Sequence, residues 1–259
     1  MFVNEFGYST FIYYIHIMNK QIIELYQSGL GMSTIAKQLK ISSLTVWNTL
    51  YSNNIEIRRK HSKIDKTYFD NPNTEKSAYW AGFIAADGYI FKPNNYTRLE
   101  ISIKDKNHLE LLGKDIGKNV TDYEKHNSCK LTISSRHIVD TLEQYNITQN
   151  KSLTLRFPTN INSDNIHHFI RGYFDGDGCF YKIYDIIGNK QFLESLINIL
   201  PFNCEYSFYK PKDDKSYVLR IRTKSLKQFF EFMYKDATIY LDRKYQKQLA
   251  FFNKEISSK

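Results

Sequence analysis

Cysteine is scarce in this sequence: three residues in 259, Cys129, Cys179 and Cys204, widely spaced and odd in number. With no CxxC pair and no His–Cys cluster, neither a disulfide framework nor a zinc site is supported, and a reducing interior is the default compartment. Long apolar runs are missing too. The longest early one, Phe11-Ile12-Tyr13-Tyr14-Ile15, falls far short of the roughly 20 residues a membrane-spanning helix needs. It lacks a basic segment before it and a small-residue cleavage site after it, so it does not read as a signal peptide. No membrane association is expected. Residues 1–17 fit no pattern downstream, whereas patterned sequence begins at Met18, which leaves open a start codon assigned too early.

What is present points to a folded, basic protein. The length suits one large domain with an appendage, or two domains of ordinary size. A composition 42% hydrophobic and 15% aromatic can build a real core. The formal net charge of +9 suits a polyanionic partner, of which nucleic acid is the common one. The 20 Tyr and 18 Phe serve sheet and core packing, and can also stack on bases.

Residues 19–52 predict three short helices. Ile22, Ile23, Leu25 and Tyr26 form an apolar helical face closed by Ser28-Gly29, and Ser33 is the expected N-cap of a second helix over Thr34–Leu39. After a tight Lys40-Ile41-Ser42 turn, a third helix anchored by Val46 and Leu50 would present Ser43, Thr45, Trp47 and Asn48 outward. With small Ala36 at the crossing, the stretch STIAKQLKISSLTVWNTL resembles a helix-turn-helix DNA-binding unit, expected over 18–57; a generic three-helix cap is the alternative. Residues 58–75 change texture, with Arg58, Arg59, Lys60, His61, Lys63 and Lys66 followed by Asn71-Pro72-Asn73-Thr74. This reads as a basic linker, able to track phosphates or simply solvated.

The remainder repeats itself, with a first copy expected over 76–152 and a second over 153–259. Trp80-Ala81-Gly82-Phe83-Ile84-Ala85-Ala86-Asp87-Gly88 reappears as Ile170-Arg171-Gly172-Tyr173-Phe174-Asp175-Gly176-Asp177-Gly178. Lys106–Leu112 then pairs with Lys190–Leu196, and Leu131-Thr132-Ile133 with Leu219-Arg220-Ile221, at nearly equal distances from each Asp-Gly. Matched order and spacing argue for an internal duplication. Each copy reads as helix, two strands, helix, two strands, helix, an α+β fold with pseudo-twofold symmetry. In the clearest strand, Leu99, Ile101 and Ile103 face one side, and Arg98, Glu100, Ser102 and Lys104 the other. The same alternation puts Lys130 and Thr132 of the first copy, and Arg220 and Arg222 of the second, on an open basic face. Sheets with one apolar and one polar face are antiparallel and half solvated.

The paired helices carry the chemistry. Small residues at helical spacing, Ala81/Ala85, Gly82/Ala86 and Gly172/Gly176, allow two helices to approach closely. Each run ends in Asp-Gly, where Gly88 and Gly178 suit a left-handed C-terminal cap. A carboxylate there meets the negative end of the helix dipole, an arrangement disfavoured by roughly 0.3–1 kcal/mol. Two such carboxylates brought together would repel unless a cation lay between them. Oxygen ligands without His or Cys indicate Mg²⁺, with Mn²⁺ able to substitute. A calcium loop starting at Asp175 fails, because Cys179 and Ile186 occupy positions that require an acidic or amide ligand and a Glu.

The two segments resemble the doubled signature motif of the LAGLIDADG homing endonucleases, and the resemblance covers roughly residues 76–250. It implies a saddle of two αββαββα halves in a single-chain monomer that binds a long double-stranded DNA site in the major groove. It implies cutting of both strands across the minor groove, leaving short 3′ overhangs. The motif's eighth-position acid, which binds metal, falls on Asp87 and Asp177; the non-essential sixth position is Asp175 in the second motif but Ala85 in the first. The carbonyls of Ala86 and Gly176 would assist the metal, and Lys151 and Lys244 match by position the basic residue each half places near the active-site water. A helix-turn-helix suits members borne by introns, phages or other mobile elements, in cytoplasm, nucleoid or organelle. A non-cleaving DNA-binding regulator and an RNA-splicing maturase stay open as rival readings, while no intein splice junction is visible.

Overall fold

The computed structural model describes residues 5–57, 64–212 and 215–257. They fall into two compact units, Met1–His61 and Ser62–Lys259. Arg58 and Arg59, expected as DNA contacts, lie outside the described residues, as do Lys60, His61 and Lys63.

The first unit contains three helices, α1 (Glu5–Gln27), α2 (Met32–Leu39) and α3 (Ser43–Ser52). Ile22, Tyr26, Ile35, Ala36, Val46 and Leu50 form its own buried core, the apolar positions that helical periodicity singles out. Gly29 takes φ 105°, a conformation that L side chains rarely adopt, and turns the chain after α1. Two expectations are corrected. The first helix does not begin near Met18 but runs unbroken from Glu5. The second is capped by Gly31 without any side-chain bond, so Ser33 lies inside the helix rather than at its cap. The α3 cap is Ser42, whose Oγ accepts the Thr45 N–H at 3.0 Å.

In the second unit the duplication is explicit. The first copy runs α4 (Glu75–Asp87), β1 (Gly88–Phe91), β2 (Tyr96–Ser102), α5 (Lys106–Ile116), β3 (Thr121–Tyr123), β4 (Ser128–Ser134) and α6 (Arg136–Gln144). The second runs α7 (Ile166–Asp177), β5 (Gly178–Phe180), β6 (Tyr184–Gly188), α8 (Lys190–Asn198), β7 (Tyr206–Tyr209), β8 (Tyr217–Ile221) and α9 (Leu226–Tyr234), followed by an additional helix α10 (Asp242–Ser257). Each copy forms a four-stranded antiparallel sheet, ordered β1-β2-β4-β3 and β5-β6-β8-β7. Strand alternation works as expected: Leu99, Leu131 and Ile133 are buried in one sheet, and Ile186, Leu219 and Ile221 in the other. Residues 64–75 are not a free linker. Phe69 is fully buried, and its carbonyl accepts the Tyr145 hydroxyl at 2.7 Å, so this stretch belongs to the core of the first copy.

The two copies meet along α4 and α7. An ideal Cβ on Gly82 would stand 2.1 Å from the Phe169 carbonyl oxygen, and one on Gly172 would stand 1.9 Å from that of Tyr79. Hydrogen is therefore the only side chain that fits at either crossing point. Gly172→Ala is expected to force the helices apart and to destabilise the second unit by about 1–3 kcal/mol or more, the usual cost of overpacking. Thermal unfolding of that variant at an unchanged midpoint would contradict this account of the crossing.

Gly88 and Gly178 follow the two acids, but not for the expected reason. Both have negative φ, −77° and −96°, in extended rather than left-handed backbone. Space is what excludes a side chain: a Cβ on Gly88 would meet the Ile84 carbonyl oxygen at 2.5 Å, and one on Gly178 the Phe174 ring at 2.0 Å.

Candidate active site at the paired helix ends

Because α4 and α7 cross so closely, their C-terminal acids come together. A Cβ on Gly176 would touch Ala86 Cβ at 2.4 Å and lie 3.3 Å from Asp87 Oδ2. Asp87 is exposed and Asp177 half-buried, so the pair opens to solvent on one side. Burial and then the neighbouring Asp87 charge raise the Asp177 pKa to about 6, with Lys151, Lys244 and the Tyr173 hydroxyl opposing the shift. Asp87 is raised as well, again first by the protein packed round it, while Lys244, Lys151 and Arg243 pull it down.

The two helix ends are capped by lysines. Lys151 Nζ, buried, donates to the carbonyl oxygens of Ala86, at 3.2 Å, and Gly88. Lys244 Nζ donates to those of Phe174, Asp175, Gly176 and Gly178, at 2.9, 2.7, 3.2 and 2.6 Å. An ammonium at this position satisfies orphan carbonyls and complements the helix dipole. Burial lowers the pKa of both lysines, and the nearby aspartates counter it. The fold thus brings Asp87, Asp177, Lys151 and Lys244 to one place. The Ala86 and Gly176 carbonyls, expected to face a metal, each accept a lysine ammonium, and each retains a second lone pair.

Asp175 has a different environment from its neighbour Asp177. It is only 2% exposed, accepts bonds from the Tyr79 hydroxyl at 2.7 Å and the Leu241 N–H at 2.8 Å, and has its pKa pushed up to about 6 by burial. Tyr79 also bonds to His108 Nε2, so Asp175 ties α7 to α4 and α5 instead of joining the open carboxylate pair. Ala85, its counterpart, is buried and has no such link to make.

Among the described residues no cluster of three or more His, Cys, Asp or Glu could hold a metal ion by itself. The Asp87–Asp177 pair does fit a hard cation that keeps waters and borrows ligands from a bound anion. The Asp87 charge adds to the burial that raises Asp177, and a positive charge beside the two carboxylates would oppose that repulsion.

The expected contact residues fall into three groups. Arg98, Glu100, Ser102, Lys130 and Thr132 share the open face of the first sheet, with Arg98 opposite Thr132, Glu100 opposite Lys130 and Ser102 opposite Ser128. Arg220 lies on the open side of β8, opposite Asp185. Lys104 is a correction, since it sits in a short 3-10 turn beyond β2. Arg222, one residue past the end of β8, is exposed and still extended (φ −83°, ψ 160°), and its N–H donates to the Glu205 carbonyl at 2.8 Å. In the first unit Ser43, Thr45, Trp47 and Asn48 are all exposed on α3, Trp47 stacking on Tyr51 at 5.0 Å between centroids.

Some residues around the site were not foreseen. Arg243 forms a bidentate pair with Asp105, at 2.8 to 3.0 Å, linking the start of α10 to the turn before α5. Tyr173 stands beside Asp177, and Asp185 clamps Arg220. No local sequence pattern marks these partners. Among the described residues, no helix is long and apolar enough to cross a membrane.

No protein-family model and no curated protein matches the sequence. Solved structures do match. The I-LtrWI LAGLIDADG homing endonuclease bound to target DNA aligns with TM-score 0.51 and 16% identity over 70% of this chain and 90% of that one. The LAGLIDADG meganuclease I-AabMI bound to uncleaved DNA aligns with TM-score 0.52 and 11% identity over 70% and 91%. The homing endonuclease I-WcaI bound to its DNA recognition sequence aligns with TM-score 0.50 and 19% identity over 74% and 96%. The duplicated fold on which the paired acids stand is the fold of these proteins.

Proposed function

We propose that this chain, which has the LAGLIDADG homing endonuclease fold, is a site-specific endonuclease that hydrolyses phosphodiester bonds in both strands of a double-stranded DNA site. The observation that carries the reading is the pairing of Asp87 and Asp177 at two glycine-packed helix ends, one capped by the buried Lys151 and the other by the half-buried Lys244. A plain helix junction has no need of two carboxylates at the unfavourable end of the dipole. Both acids come from one chain, so a single copy carries the whole site.

The residues divide the work by charge and position. Asp87 and Asp177 would hold divalent metal, Mg²⁺ with Mn²⁺ as substitute, which supplies charge stabilisation at the scissile phosphate when bound. Lys151 and Lys244 keep the carbonyls at both helix ends from repelling the incoming phosphodiester, and hold the two acids at fixed height. The open faces carrying Arg98, Lys130 and Arg220, together with the formal charge of +9, supply the DNA-binding surface. Support for DNA over another polyanion comes from the three solved structures, each described as bound to DNA.

The test is cleavage of a randomised or genomic duplex library by the purified chain with Mg²⁺. Double-strand breaks at one long, recurrent sequence are the expected result; intact DNA under every divalent metal tried would refute the reading. The first unit is assigned to DNA as a helix-turn-helix on the exposed α3 residues. Removal of residues 1–57 is therefore expected to weaken affinity and shorten the protected site while the second unit still folds. A footprint of undiminished length would show that α3 does not touch DNA.

A further inference from the structure

Arg220 and Arg98 look alike in sequence, each an arginine on the open side of a strand, yet their surroundings differ. Register aligns the two sheets: Gly88 pairs with Leu99 and Gly178 with Ile186, so Arg98 of β2 corresponds to Asp185 of β6. On the next strand Thr132, opposite Arg98, corresponds to Arg220, opposite Asp185. The arginine has moved one strand over, and an acid stands in its former place.

That exchange changes what the guanidinium can do. Arg220 Nε donates to Asp185 Oδ1 at 2.7 Å and Nη2 to Oδ2 at 2.6 Å. The carboxylate thereby occupies the side-on edge of the guanidinium. One N–H from each of Nη1 and Nη2 remains on the end-on edge, pointing away from Asp185. The guanidinium carbon also lies 5.1 Å from the Tyr209 ring centroid, a second restraint on its plane. The side chain is 39% exposed, so its free edge reaches solvent. Arg98 has a similar ring neighbour, Tyr96 at 5.2 Å, but its one hydrogen bond is of 3.2 Å from Nε to the neutral Thr132 hydroxyl, and it keeps its whole charge.

A guanidinium with a carboxylate on one edge is a poor phosphate contact, since the pair carries no net charge. It is a good base reader, because a fixed two-donor edge matches the O6 and N7 acceptors that guanine alone presents together in the major groove. We propose that Arg220, oriented by Asp185, reads a single guanine in the half-site that lies on the second sheet, whereas Arg98 serves its half-site chiefly through charge. The inference rests on the DNA-binding reading above. It makes the target asymmetric at a position where the two sheets correspond by register.

The experiment selects bound duplexes from a randomised library, without Mg²⁺, using the full chain and its Arg220→Ala, Asp185→Ala and Arg98→Ala variants. The recovered pools are then exposed to Mg²⁺. The wild-type pool should contain an invariant guanine that Arg220→Ala alone randomises, with a loss of roughly 5- to 150-fold discrimination there, the span of a good bidentate base contact. The salt dependence of Arg220→Ala should stay close to that of wild type. Asp185→Ala should weaken the guanine preference and steepen the salt slope by about 0.9, one phosphate contact, while Arg98→Ala flattens it by a similar amount. Retention of every selected base in Arg220→Ala overturns the proposal. So does uniform weakening with a slope lowered by about 0.9, which makes Arg220 a phosphate contact. A selected pool that Mg²⁺ leaves uncut refutes the nuclease reading but still decides the role of Arg220. No selected sequence at all overturns both.

Discussion

Asp87→Asn and Asp177→Asn are each expected to lower the cleavage rate by about 10²–10³-fold or more, the scale lost when a group that stabilises transition-state charge is removed. DNA binding should persist in both variants. Asn keeps the shape of the side chain and its place at the helix end, but removes the negative charge that would hold a cation. It also relieves the burial of a charged group and, after that, the Asp87–Asp177 repulsion, the two causes that raise the Asp177 pKa to about 6, so neither variant should lose thermal stability. This combination separates a chemical role from a structural one. A structural acid would cost stability and binding on replacement; these two should cost neither. Asp175→Asn is the internal control, because that carboxylate is buried and bonded to Tyr79 and Leu241 rather than open to substrate. Full activity of the Asp87 or Asp177 variant would remove the catalytic assignment.

The largest stability effect is expected at Arg171. Its side chain is 0% exposed, and it donates to the Ile239 and Met233 carbonyls at 2.8 and 2.7 Å, to His168 Nδ1 at 2.8 Å and to Glu75 at 2.7 Å. His168, whose pKa is lowered to about 3 by burial and the adjacent Arg171, stays neutral and can accept that bond. Glu75, in the first turn of α4, also accepts from the Thr238 and Ile239 N–H groups. One guanidinium thereby joins α4, α7 and the segment that leads to Lys244. Removing one partner of a buried ion pair typically costs about 3–5 kcal/mol, since the other partner and the freed carbonyls stay desolvated. For a unit of this size that corresponds to a fall in Tm of about 10 °C for Arg171→Ala. Glu75→Gln should cost less, because the amide oxygen can still accept the two N–H groups. An Arg171→Ala midpoint within about 2 °C of wild type, well inside that expectation, would mean the network carries little of the interface.

Much of this molecule is written in short-range patterns. The duplicated order of elements, the apolar faces of β2, β4 and β8, and the three-helix first unit follow from side-chain periods of 2 and 3.6, which any stretch of chain carries locally. Small residues at helical spacing announced the close crossing of α4 and α7, and the acids at its end were legible because a carboxylate is poorly placed there. Local patterns misplaced features where tertiary packing intervened. Residues 64–75 look like linker because they are polar and irregular, yet Phe69 anchors them in the core. Lys104 extends the alternation of its strand on paper, but the chain turns away first.

The paired acids therefore stand on two kinds of information. Sequence by itself determined that Asp87 and Asp177 occupy the same place in two copies of one unit, and that helices ending in them can pack tightly. Only the tertiary structure decided that Lys151 and Lys244 cap those helices, that Gly88 and Gly178 are required for space rather than for left-handed backbone, and that Arg220 faces Asp185. The reason is physical: each of these depends on which distant groups come within about 3 Å, and hydrogen bonds are won or lost over a fraction of that distance. Sequence periodicity sets the face on which a residue lies, and only strand register and helix crossing set what it meets there.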